Sequence, residues 1–179
     1  MRILGIDPGL NATGYGVIET TGDRLQVVDA GTIRPSARQP LASRLLELAS
    51  ELARTIDAHQ PNVVVLEALF IHHQYLTTAA LMAHARGVAC LISAQHRLPV
   101  AEYLPTRVKK ALTGYGTASK EQVARAVETW LGVRQAEWSS DATDALALAI
   151  VHAHISRSPL GGVLVTASRR RNRAVQVMG

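Results

Sequence analysis

Up to Ile33 the apolar positions come in short runs that suit strands. Met1–Asp7, Gly14–Thr20 and Leu25–Ile33 are three such runs, and Gly22-Asp23 between the second and third is hairpin-turn chemistry. An antiparallel meander is expected. The period then lengthens. Leu41, Leu45, Leu48, Leu52 and Ile56 recur at helical spacing, and Pro61 closes that segment. Next comes "NVVVLEALF", a short apolar β-branched run of the kind found in strands buried on both faces. Residues 75–96 are Ala-rich and helical, and "LPVAEYLP" is another short strand. Thr106–Leu112 reads as a short helix closed by Gly114. Ser119 opens a further helix, with Gln122 placed for a capping box and Gly132 just past its end. Residues 141–157 form the last long helix.

The order β-β-β-α-β-α-β-α-α-α implies an α/β fold. Its mixed five-stranded sheet joins a three-strand antiparallel meander to two parallel strands, with helices on both faces. One domain is expected over residues 1–157. From 158 the chain turns to Ser, Pro and Gly and ends in "SRRRNRAVQVMG", so 158–179 reads as a basic, frayed tail.

Charge narrows the class of partner. The net charge is +5 and the isoelectric point about 9.9, which favours a polyanion such as nucleic acid. No apolar run reaches the ~18 residues of a membrane span, and no charged-then-apolar leader opens the chain. A cytoplasmic, non-membrane protein is expected. The single cysteine, Cys90, has small apolar neighbours and reads as a buried structural thiol. With no cysteine cluster, a zinc site is not expected.

Candidate chemistry lies in four acids that keep apolar company. Asp7 ends the first strand, and Pro8-Gly9 turn the chain at once. Turn chemistry alone accounts for an Asp-Pro-Gly. Glu67 ends "VVVL", where a carboxylate has no cheap place unless the strand end opens to solvent or a ligand. Asp141 and Asp144 lie three apart at the start of "DATDALALAI" and share a helical face. The helix dipole suits acids there. Yet the apolar run behind them enters the core, and two acids at that point need a counter-charge. No Lys or Arg is adjacent in sequence. Four oxygen ligands favour a hard cation, Mg²⁺ or Mn²⁺. Two such ions ~3.5–4 Å apart can activate water against a phosphodiester. With the net positive charge, this points to a nuclease. His72-His73 are adjacent, and His152 and His154, two apart on a helix, do not share a face. None of them is a preferred metal ligand.

With "GIDPGLNATGYGVIE", "VVVLEALF", "ARGVA", "SKEQV" and "DATDALALAI" in this order over residues 1–157, the chain resembles the RuvC-type Holliday junction resolvases. The resemblance implies an RNase H-like fold, a homodimer, Mg²⁺ dependence and paired cuts in strands of like polarity at a four-way DNA junction. It also implies a RuvA–RuvB branch-migration complex as partner. It places Asp7, Glu67, Asp141 and Asp144 on the family's metal-binding acids, and Phe70 on an aromatic that stacks on a base near the junction centre. Lys109 and Lys120 fall on residues that contact the DNA backbone. From its neighbours alone, Phe70 reads as a core residue. The chain departs from the family at His72–Tyr75 ("HHQY") and at Met82–Gly87 ("MAHARG").

Three rival readings share some of these features. One is an RNase H-like nuclease acting on another substrate, such as an RNA–DNA hybrid. Another is an actin-like or sugar-kinase-type nucleotide-binding module, which needs a second phosphate-binding glycine hairpin that the chain lacks. The third, a non-catalytic DNA-binding scaffold, sits poorly with four intact acids.

Overall fold

The structure, a computed structural model, describes residues 1–68, 76–133 and 137–157. Five strands form one sheet: β1 (Arg2–Asp7), β2 (Thr13–Thr21), β3 (Arg24–Ile33), β4 (Val63–Glu67) and β5 (Val100–Tyr103). Their spatial order is β3-β2-β1-β4-β5. The meander pairs antiparallel, while β4 and β5 add in parallel to β1. The hairpin from β2 to β3 turns on Gly22-Asp23, with Gly22 at φ +56° and Thr21 facing Arg24. The architecture matches the expected mixed sheet.

Among the described residues, five helices cover the two faces: α1 (Leu41–His59), α2 (Leu76–Gln95), α3 (Pro105–Thr113), α4 (Lys120–Leu131) and α5 (Ser140–Arg157). Alternation along each strand sorts its side chains between two cores. Leu4, Ile6, Val17, Val64 and Leu66 meet α1 and α2 through Leu48, Leu52, Ile56, Ala85, Ala89 and Ile92. Ile3, Ile18, Val63, Val65 and Tyr103 meet α3, α4 and α5 on the opposite face. Residues 63–66 of β4 are all buried, as expected of a strand covered on both sides.

Local signals fix the helix ends. The Ser119 hydroxyl accepts from the Gln122 amide, and the Gln122 side chain accepts from the Ser119 amide, so the capping box is complete. α3 and α4 end on the left-handed residues Gly114 and Gly132. Two expectations shift. The helical apolar row of α1 is buried only from Leu48 onward, and Leu41 is exposed. Cys90 is half-buried rather than buried, although burial still raises its thiol pKa.

Candidate active site

Strand register does most of the work of assembling the acids. Asp7 pairs with Gly14, Gly14 pairs with Thr32, and Glu67 pairs with Tyr103. Because Ile6 is level with Leu66, Asp7 and Glu67 stand side by side at the C-terminal ends of adjacent parallel strands. The alternation that sends Ile6 and Leu66 toward α1 and α2 turns Asp7 and Glu67 to the α5 face.

α5 brings the other two acids across the sheet, and the glycines of the first two strands allow it. A Cβ on Gly14 would lie 1.9 Å from the carbonyl oxygen of Asp141, and one on Gly5 would lie 2.0 Å from that of Ala145. Only hydrogen fits at either place, so the helix backbone rests directly on the strands. Ser139 secures the start of α5. Its hydroxyl accepts from the Ala142 amide at 3.2 Å and lies 2.5 Å from the Thr32 hydroxyl.

The counter-charges expected for the α5 acids come from distant segments. Lys120 Nζ is 3.5 Å from Asp144 Oδ2, and Arg34 Nη2 is 3.3 Å from Asp141 Oδ2. A cleft of about 290 Å³ is lined by Asp7, Glu67 and Asp144, by Lys109 and Lys120, and by Met82 among its apolar wall. Lys109 and Lys120, which were assigned to DNA contact, therefore flank the acids.

Electrostatics mark the site. Burial first, and then the charges of Glu67, Asp144 and Asp141, raise the Asp7 pKa from 3.8 to about 7. Burial and Asp144 raise Glu67, against the lowering by Lys120 and Lys109. Burial raises Asp144 in the same way, again opposed by Lys120. Among the described residues, no three His, Cys, Asp or Glu side chains are gathered closely enough to hold an ion. Two of the carboxylates lean on Lys120 and Arg34. The donor chemistry nonetheless fits a hard divalent cation, because every available ligand atom is a carboxylate oxygen and each added positive charge would relieve the raised pKa values.

His152 is buried, with Nδ1 2.9 Å from the Tyr103 hydroxyl, and His154 packs edge-on against Trp130. Neither faces the acids. Phe70, His72 and His73 lie outside the described residues, as does the 158–179 tail. Three further arginines contact the site or the segments that carry it. Arg34 holds Asp141. Arg86, from "ARGVA", donates to the Glu67 carbonyl and pairs with Glu102, which fixes the end of β4. Arg44 donates to the Leu10 carbonyl at 3.0 Å and to Asn11 Oδ1 at 2.8 Å, which anchors the loop after Asp7. An arginine inside the small-residue run of α2 was the available signal for Arg86; nothing local marked Arg34.

The chain matches the family model described as crossover junction endodeoxyribonuclease RuvC over residues 3–152. It is 42% identical over 154 residues to a crossover junction endodeoxyribonuclease RuvC of Alkaliphilus metalliredigens, covering 86% of this chain and 93% of that protein. It is 47% identical over 154 residues to the protein of the same description from Syntrophotalea carbinolica, covering 86% and 94%. Among solved structures, it is similar to Thermus thermophilus RuvC in complex with a Holliday junction substrate. The TM-score there is 0.82 at 30% identity, covering 88% of this chain and 95% of that one. The yeast mitochondrial Holliday junction resolvase shares the fold, with a TM-score of 0.62 at 12% identity over 97% of this chain and 83% of that one.

Proposed function

The chain belongs to the crossover junction endodeoxyribonuclease RuvC family, and from that premise we propose that Asp7, Glu67, Asp141 and Asp144 form the catalytic, metal-binding set of a Holliday junction resolvase. The supporting observation is the row in which Asp7 and Glu67 end adjacent parallel strands and face the first turn of α5. Rigid strands and a helix seated on glycine deliver three of these acids, Asp7, Glu67 and Asp144, to one cleft.

Magnesium, with manganese as the alternative and two ions per site, supplies charge neutralisation and water activation at the scissile phosphate. The protein's own residues do the rest. Asp7 and Glu67 present oxygen ligands from the sheet, and Asp141 and Asp144 present them from α5. Lys109 and Lys120 offer positive charge to backbone phosphates. Phe70, three residues beyond Glu67, is proposed to stack on a base near the junction centre. Each chain carries one acid cluster, so symmetric cuts in two strands of like polarity call for a homodimer with one cluster per subunit. The enzyme would act in the cytoplasm with a RuvA–RuvB branch-migration complex.

The test offers purified protein a synthetic four-way junction, a duplex and an RNA–DNA hybrid in Mg²⁺. Paired cuts in the junction alone are expected. Asp7→Asn, Glu67→Gln and Asp141→Asn should each abolish cutting while leaving junction binding intact, and Asp144→Asn should be severely impaired. Normal cleavage by any of the first three would overturn the assignment of that acid. Preferential cutting of the hybrid would favour the other RNase H-like reading.

A further inference from the structure

Arg34 follows the last residue of β3, at the sheet edge farthest from β5. Thr32 and Arg34 are two apart, so both side chains leave the strand toward the same face. Thr32 meets Ser139 at 2.5 Å and Arg34 meets Asp141 at 3.3 Å, so this strand end runs along the first turn of α5. Thr32, Gly14, Asp7, Glu67 and Tyr103 form one row across the sheet. With ~4.8 Å between strands, that row is about 19 Å long. Lys109, on the helix that follows β5, and Lys120 flank the acids from one end, and Arg34 stands at the other.

The ion pair itself does not account for an arginine here. Arg34 is 58% exposed and Asp141 33% exposed. A single contact between such exposed groups stabilises a fold little, because solvent screens it. The guanidinium has five donors and, among the described residues, spends one on Asp141. Its planar fork matches a phosphate, to which it can make two charge-assisted bonds.

Resting on the resolvase reading, we infer that Arg34 is a DNA phosphate-binding residue on the rim of the cleft opposite Lys109 and Lys120. The backbone of the cut strand is then held on both sides of the acids. Arg34 leans on Asp141 in the free protein and turns to phosphate when DNA arrives.

The experiment measures junction binding against salt concentration for Asp7→Asn protein, which keeps binding separate from cutting. Arg34→Ala, Arg34→Gln and Arg34→Lys are added to that background. If Arg34 grips a phosphate, Ala and Gln each flatten the log–log salt slope by about one, and Lys restores it. With Asp7 intact, Arg34→Ala should cut about tenfold less at subsaturating junction, while the Mg²⁺ concentration for half-maximal rate stays the same. An unchanged salt slope joined to a shifted Mg²⁺ requirement would overturn the inference and leave Arg34 as a positioning residue for Asp141. Thermal melts check that each variant folds, and Gln stands in if Ala does not. If the unsubstituted chain fails to cut junctions, the resolvase reading falls, while the salt slopes still report separately on Arg34.

Discussion

At Asp7, the cost of carrying charge is set by burial and by three neighbouring acids. Its pKa is about 7 in the fold against an ordinary 3.8, so the folded protein favours the protonated form. An acid shifted in that direction stabilises the fold fully below about pH 4, and the contribution is lost as pH rises through about 7. Without divalent ions, stability should therefore fall between about pH 4 and pH 7. Asp7→Asn should remove about 2–4 kcal/mol of that fall. Urea denaturation of both proteins in chelator at the two pH values measures the difference, and parallel pH dependence would show that Asp7 ionises without penalty. A bound cation prefers the carboxylate, so Mg²⁺ should stabilise the protein more as pH rises over the same interval. Lys120 and Arg34 show the same electrostatics from the other side. The α5 acids were expected to need counter-charge, and it arrives from 24 and 107 residues away in sequence. No local pattern could have named those partners.

Elements carry the precision of the site. α5 can sit on β1 and β2 only because Gly5 and Gly14 present no side chain to its backbone. Gly14→Ala should push the first turn of α5, and Asp141 with it, away from Asp7. A loss of about 1–3 kcal/mol in stability is expected from the forced overlap, and cleavage should drop by ten- to a hundredfold, since small misplacements of catalytic groups are costly. Gly87→Ala on α2 is the comparison. A Cβ there meets nothing within 4 Å, and helix propensity should raise stability by about 0.5–1 kcal/mol. Melting curves and a junction assay on Gly14→Ala decide the point; a variant that cuts normally would mean that α5 adapts without moving its acids. Along the chain, Gly9 reads as turn chemistry, while Gly5 and Gly14 fall inside runs that read as strands. Their use as a seat for α5 became visible only once the helix was in place.

For the whole molecule, the two apolar cores draw on residues from both ends of the folded region. Ile3 of β1 packs in the same cluster as Val151 and Ala153 of α5. Residues 1–157 are thus proposed to fold as a unit. A chain ending at 157 is proposed to melt within about 2 °C of the full chain, as a frayed basic tail would require. It should also place its cuts at the same positions on a junction. A large loss of activity with unchanged melting would instead show that the tail, with Arg169, Arg170, Arg171 and Arg173, grips DNA. Several features were settled by local chemistry and were legible in order: strand alternation, the change to helical period at Leu41, the Ser119–Gln122 box, and four acids stranded in apolar company. Each depends on residues within one or two turns of one another. The tertiary structure alone decided which acids stand side by side, which cations face them, and how much of α1 is buried. Register and helix docking bring together residues far apart in sequence, and shape at those contacts leaves no periodic trace along the chain.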